Sequence, residues 1–416
     1  MKKMNRKQLE QNKRKLQREK EEKEFIAQLN LLIDTLGGEG TFALLPPILI
    51  ECIYSLRVLP IKVITQFVPE LDLKSVNNLH HLVADLLHRK DYAVDINGVQ
   101  FSLDMFMSVG YSMIMLVELC RKTDKQEPWM PEFNSRFSPD LEEELHQKAY
   151  LQCKTIALTI SLNLYDFSKD MFWFHFEITH PHEGTKHLQH LMYVHIEKFE
   201  VRTFRTAEGI RTALRISWAH VQTGLMHAEI DPMLLGMETE ADQPVAVYIQ
   251  RHAIRRLEER LDCLKKYEQQ YAIFESMVNP LIVRMNKNKV LIACRISNVK
   301  MGYFAAEYVE GVLLIHTFLF ITNNGTPEGK RLNELTGLSK LDKKYLTIDK
   351  LSSFMNSDIS HNNQLKTLFT QAGCSCLLDI SKTVTGLKKN SDEQAISNMI
   401  LKYLEKGENA IITCKV

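Results

Sequence analysis

One segment of the sequence, YIQRHAIRRLEERLDCL at 248–264, places a histidine and several arginines on one predicted helix. At about 100° per residue, Arg256 lies about 40° and Arg260 about 80° from His252, while the apolar side chains occupy roughly 100° to 200°. An imidazole titrates near neutral pH, and a guanidinium group donates paired hydrogen bonds to phosphate oxygens. The stripe could therefore bring one acid or base and two fixed cations to a single phosphate.

A simpler interpretation of the same residues needs no ligand. Arg255 and Arg256 stand four and three residues before Glu259, the spacings at which opposite charges pair along a helix. The stripe would then be a solvated helix face. The residues by themselves favour this alternative, because short motifs match by chance.

The pattern HAxxRxxER, which begins at His252, resembles the opening helix of small bacterial proteins related to RelE-type and BrnT-type toxins, of the barnase, EndoU, colicin and RelE superfamily. The order of elements over 248–321 is similar too: this helix, a second helix, then an antiparallel sheet whose last strand is apolar with a threonine, here Thr317. Two features depart from the family, whose members are short and strongly basic, whereas this chain has 416 residues and a net charge of +1.

The resemblance implies an endoribonuclease or a surface that binds RNA. In such chemistry a base removes the 2′-hydroxyl proton, the oxygen attacks the adjacent phosphate, and cations stabilise the charge that develops. His252 would be the base or acid, and Arg256 and Arg260 would clamp the phosphate. No metal or other cofactor is implied. The sequence identifies no partner acid, and we expect His316 to be a packed strand residue beside Leu314 and Phe318.

A second group of candidate residues is a cluster of six histidines between 175 and 195. Neutral imidazoles are good zinc ligands, but the chain has no HExxH motif and the spacings match no metal site. We interpret the cluster as the histidines of a hairpin loop and its flanking strands, and we predict no metal site. Its members are His175, His180, His182, His187, His190 and His195.

The overall composition gives the chain almost no net charge, so it excludes attraction of the whole protein to a polyanion. Lys and Arg total 52 against 51 Asp and Glu, so any attraction to a polyanion must come from a local patch. The eight cysteines are scattered, which is typical of reduced thiols in a cytoplasmic protein. The most apolar segment, 42–67, is interrupted by prolines and charges, so we expect no membrane partner.

The elements that must position these residues indicate a multidomain α+β protein. We expect a charged arm or helix over 1–25, a helical domain over 26–147 and a β-rich antiparallel domain over 150–240. An α+β module with an antiparallel meander follows at 246–365, and a C-terminal extension occupies 366–416.

Several local signals within these regions can be checked individually. Ser75 and Ser102 are predicted helix caps, and Thr326 followed by Pro327 predicts another helix start. KTIALTISLNLYDF at 154–167 predicts a strand because it is rich in β-branched residues. Glu310-Gly311 predicts a two-residue hairpin turn.

Two functions of different class stay open. The first is action on RNA through the face of His252, Arg256 and Arg260, as a toxin-like ribonuclease or as a binder without catalysis. The second is a non-catalytic scaffold whose helical region and charged arm contact other proteins. The two differ in geometry: action on RNA requires these side chains to meet in a concave basic surface, whereas a scaffold leaves them in solvent or paired with carboxylates.

Overall fold

The computed structural model describes residues 6–66, 68, 72–123, 127–164, 170–179, 187–206, 209–220, 224–236, 243–286, 288–378, 380 and 396–413. The chain has the α+β class that the sequence predicts, and it divides into two compact units. The first contains 1–161, 172–197 and 219–224, and the second contains 162–171, 198–218 and 225–416.

The first unit is mainly helical and contains a small sheet of order β1-β5-β4, in which β1 and β5 are parallel. Its helices are α1 (Arg6–Gly37), α2 (Pro47–Ser55), α3 (Leu73–His88), α4 (Leu103–Met105), α5 (Tyr111–Lys122), α6 (Met130–Ser135) and α7 (Leu141–Leu164). Its strands are β1 (Leu59–Ile64), β2 (Val94–Ile96), β3 (Val99–Phe101), β4 (Asp170–Thr179) and β5 (Gln189–Lys198).

Two predictions for this part of the chain are wrong. The segment 154–167 is helical as far as Leu164, because Cys153, Ile156, Ala157 and Ile160 recur at helical spacing and are all buried. Burial of that stripe outweighs the strand preference of the β-branched residues. Helix α3 is capped by Asp72, not Ser75, and the Asp72 carboxylate accepts from the Ser75 amide at 2.6 Å.

Other predictions for this part are confirmed. Helix α1 contains the charged arm from Arg6 onward and ends at Gly37. Ser102 caps α4 through the Met105 amide. Among the described residues, the helical stretch Leu103–Lys122 is long and apolar enough to cross a membrane, and 61% of its most apolar window is buried inside the protein.

The second unit is built on an eight-stranded sheet of order β12-β13-β14-β15-β11-β7-β6, with β10 also paired to β11. The β11–β15 pair is parallel, and its neighbours in the sheet are antiparallel. Its strands are β6 (Val201–Thr206), β7 (Gly209–Arg215), β10 (Glu229–Ile230), β11 (Val245–Gln250), β12 (Ile282–Arg284), β13 (Lys289–Ile296), β14 (Val299–Val309) and β15 (Val312–Phe320). Two further strands, β8 (Ser217–His220) and β9 (Gly224–His227), form a separate pair.

The helices that accompany this sheet are α8 (Pro232–Leu235), α9 (Arg251–Arg260), α10 (Lys266–Val278), α11 (Pro327–Thr336), α12 (Lys340–Tyr345), α13 (Ser352–Met355), α14 (Asn363–Gln371) and α15 (Ser397–Thr413). One core joins a face of the sheet to α9, α10 and the helices after β15. Helix α9 has two faces, as predicted: its Ala253 and Leu257 are buried in this core, and Arg251 and His252 are exposed.

The predicted meander of β13, β14 and β15 is confirmed. Glu310 and Gly311 have φ values of 50° and 80°, the left-handed backbone that a two-residue turn of this hand requires. Thr326 caps α11 by accepting from the Gly329 amide at 3.0 Å, with Pro327 in the first turn. The parallel pairing of β11 with β15 is an additional feature that the sequence does not predict.

Candidate functional site

The sheet of the second unit splits at the carboxyl end of β11. That strand pairs with β15 through Val247–Ile249 and with β7 through Tyr248–Gln250. Both neighbours continue past this point, β15 to Phe320 and β7 back to Gly209, whereas the chain leaves the sheet after Gln250 and forms α9. Carboxyl ends of parallel strands where neighbours diverge are a common place for ligands to bind.

A cleft of about 970 Å³ occupies this position. Its walls come from β6, β7, α9 along its whole length, β15 and the beginning of α12. No aspartate or glutamate is among the described residues that line it, although Glu259 and Asp349 pair with two of its arginines. Its ionisable lining residues are Arg211, Arg251, His252, Arg256, Arg260, His316 and Lys340.

The predicted site residues His252, Arg256 and Arg260 all line this cleft. They project from the exposed stripe of α9, because the opposite stripe is fixed in the core through Leu257 and its neighbours. His252 is the second residue of the helix and is exposed to solvent. A concave surface lined by basic residues is therefore present around these side chains, and two of the three, Arg256 and Arg260, are also paired with carboxylates, as the scaffold alternative predicts.

Arg256 also forms the ion pair that the solvated-face interpretation predicts. Its Nη1 lies 2.7 Å from Glu259 Oε2, and the two side chains are 40% and 45% exposed. Exposed pairs of this kind contribute about 0–1 kcal/mol, so an incoming phosphate can replace the carboxylate at little cost. Arg255, on the same helix, is exposed and does not line the cleft.

Arg260 has a more constrained environment. It forms an ion pair with Asp349 in which the two side chains are only 14% and 10% exposed. The Leu351 amide donates to the Arg260 carbonyl at 2.8 Å, which ties the same segment to the end of α9. Loss of one partner from a buried pair leaves an uncompensated charge, so Arg260 anchors the helix as well as lining the cleft.

His316 lies in the cleft because of a β-bulge. Along β14 and β15, Ala305 pairs with Thr317 and Ala306 pairs with Ile315, so His316 is the extra residue between two ladder positions. A bulge changes the direction of the side chain at the inserted position. His316 lies on β15 as expected and is half-buried, and it also lines the cleft together with Thr317.

The sequence does not single out Arg211, Gln250 or Lys340, although all three line the cleft. Arg211 and Lys340 come from elements distant in sequence, and no local pattern connects them to α9. Gln250 has a weak signal: it ends the apolar run VAVYI at the position where a helix usually has a serine, threonine or aspartate cap.

The histidine cluster does not converge on a metal centre in the part of the chain that is described, where no group of three or more potential ligands is arranged to hold an ion. His180 and His182 lie outside the described residues. His195 stacks on Trp173 at 3.9 Å between ring centroids, and His175 stacks on Tyr193 at 5.0 Å. These are packing contacts of aromatic rings on a sheet.

Among the four histidines of the cluster that are described, His190 is the buried one. Its Nε2 donates to the Met107 carbonyl at 2.9 Å, its Nδ1 has no hydrogen-bond partner, and its ring packs against Tyr111. Burial disfavours the charged imidazolium and lowers the pKa of His190 to about 4. His190 is therefore a neutral core residue at physiological pH.

No protein-family model, curated protein or solved structure matches this chain. The resemblance of 248–321 to RelE-type and BrnT-type toxins therefore stays a prediction, and the functional argument depends on the residues of the cleft.

The environment of His190 predicts how stability depends on pH. Between its folded pKa of about 4 and its ordinary value of 6.5, the unfolded chain binds the proton more tightly, so stability falls as the pH falls through this window. The contribution of His190 to the free energy of unfolding is up to about 3 kcal/mol.

We expect His190→Leu to reduce this acid-induced loss of stability, measured by urea unfolding from pH 7 to pH 4.5. The exposed-residue control His81→Leu should keep the wild-type dependence, and an unchanged dependence in His190→Leu would contradict the assignment.

Proposed function

We propose that this protein binds RNA, with the phosphate backbone in the cleft at the start of α9. One observation carries the proposal: among the residues that the structure describes, every ionisable one that lines the cleft is basic, although the whole chain has 52 basic and 51 acidic residues. In a near-neutral protein, a concave surface lined by cations provides a local site of attraction for a polyanion.

The kinds of side chain in the cleft support a phosphate ligand. Arg211, Arg251 and Arg256 offer planar groups that can donate two hydrogen bonds to phosphate, and Lys340 adds a point charge. Leu319 and the exposed Val201 place apolar surface beside these charges, where a base or ribose can make contact.

The size of the cleft and the sequence motif favour RNA among phosphate ligands. A volume of about 970 Å³ is at the upper end of the range for small-molecule pockets, which suits a segment of a longer chain. The HAxxRxxER resemblance points to the same ligand class.

Neutralising cleft arginines provides the direct test. In the double variant Arg251→Gln, Arg256→Gln, we expect weaker binding of a labelled single-stranded RNA in fluorescence anisotropy. The plot of log K against log salt concentration has a negative slope. That slope should become shallower by about 1.4, because two phosphate contacts are lost. Arg255→Gln is the matched control, since it removes the same charge from the same helix outside the cleft, and it should keep the slope. Arg260 is left intact because of its buried ion pair.

The opposite pattern would support the scaffold alternative. If the double variant binds RNA like the wild type at every salt concentration while its melting temperature is unchanged, the cleft is not an RNA-binding surface.

A second candidate function is cleavage of the bound RNA without a metal ion. It is favoured by the presence of two imidazoles, His252 and His316, in one cleft. One neutral imidazole would take the 2′-hydroxyl proton as the 2′-oxygen bonds to phosphorus. The bond from phosphorus to the 5′-oxygen then breaks, and the other imidazole, protonated, gives its proton to that oxygen. The products would be a 2′,3′-cyclic phosphate and a 5′-hydroxyl end.

For cleavage, we expect His252→Ala and His316→Ala each to reduce the rate by about a hundredfold or more, the scale of losing a positioned acid or base. RNA affinity should change little, a chelator should have no effect, and His81→Ala should cleave like the wild type. Equal cleavage by wild type and both variants would show a contaminating nuclease, and no cleavage by the wild type would leave binding as the function.

A further inference from the structure

The start of α9 has an unusual charge arrangement. The first turn of a helix has backbone amides without acceptors inside the helix and carries partial positive charge, which favours acidic side chains. Here the first turn has no acidic residue, its first two residues are Arg251 and His252, and the cap residue Gln250 makes no side-chain capping hydrogen bond. Two basic side chains therefore stand at the positive end of the helix dipole, an arrangement that an anion would stabilise.

The side chain of Gln250 is an independent indication of a ligand. Gln250 is only 8% exposed, lines the cleft at the end of β11, and its side-chain amide has no hydrogen bond to any other residue that the structure describes. The amide atoms themselves remain open to the cleft, and the NH₂ group provides two donors for a ligand there. An anion in the cleft would accept from this group and from the helix amides beside it.

We propose that a phosphate group binds at the first turn of α9. The backbone amides of Arg251, His252 and Ala253 and the Gln250 side-chain NH₂ donate to its oxygens, while the Arg251 guanidinium neutralises its charge. Helix amides of this kind are well suited to tetrahedral anions. The assignment rests on the proposed RNA function and names the phosphate subsite of that cleft, adjacent to His252.

The sequence pattern has a physical explanation on this basis. Cations in a first helical turn and a buried uncapped glutamine both break local rules of helix stability, and such departures concentrate at functional sites. A terminal monoester of an RNA and an internal diester are the two sources of such a phosphate. The monoester has three non-bridging oxygens and the diester has two, and in both cases these oxygens accept hydrogen bonds from amides.

The first experiment uses inorganic phosphate as the probe, titrated at constant ionic strength against chloride. In the wild type, we expect phosphate to raise the melting temperature and to slow hydrogen exchange of the amides at 251–253. Gln250→Leu should weaken the apparent phosphate affinity by about tenfold, the scale of a hydrogen bond to a charged group. Gln250→Glu should abolish the response, because its carboxylate repels the phosphate.

The matched control for charge is Gln364→Glu, which places a carboxylate in the first turn of α14, outside the cleft. It should keep the full phosphate response. If phosphate gives no protection at 251–253, or protects the wild type and both Gln250 variants equally, the subsite does not exist.

A second set of measurements distinguishes the two sources of phosphate and separates this proposal from the RNA function. Short RNAs are compared with a 5′-phosphate, a 3′-phosphate or neither. A terminal-phosphate site gives tighter binding of one phosphorylated RNA, and Gln250→Leu removes that advantage. An internal site gives no advantage, and Gln250→Leu weakens all three RNAs alike. RNA binding that is indifferent to Gln250 would refute the subsite but not the RNA function, whereas phosphate protection without RNA binding would support the subsite and refute RNA as the ligand.

Discussion

The geometry of the site depends on one constraint: strand β11 ends before its two neighbouring strands do. β11 is held between β15 and β7 only as far as Gln250, and both neighbours continue. Because the chain must leave the sheet there, the first turn of α9 is placed at the gap between the two strands. Burial of Leu257 then fixes the rotation of the helix, so that its charged stripe lines the cleft.

The arginines on or near this stripe differ in what the fold requires of them. Arg260 is held by Asp349 in a shielded pair, and its loss would cost stability before it affected a ligand. Arg256 has an exposed partner that contributes little, so it can exchange Glu259 for a phosphate. Arg251, at the positive end of the helix, gains most from a bound anion. Residues that look equivalent in the HAxxRxxER region therefore have different energetic roles.

The sequence predicts the local part of this arrangement. The two faces of α9 follow from its period, and the β14–β15 hairpin follows from Glu310-Gly311, because both depend on neighbouring residues. The cleft depends on long-range pairing: Arg211 reaches it through the β7–β11 register, and His316 reaches it through a bulge that strand alternation does not reveal. Helix α7 shows a local signal that misleads. Its β-branched residues predict a strand, and only the burial of the stripe around Ile156 explains why the segment is helical.

We propose that RNA enters the cleft at the split between β7 and β15. The most direct measurement is ultraviolet cross-linking of 4-thiouridine-labelled RNA to the full-length protein, followed by mass spectrometry of the linked peptides. The account predicts cross-links on both walls of the cleft, in peptides containing Arg211 and Thr317, and at the start of α9. Cross-links confined to α1, with none in those peptides, would contradict it.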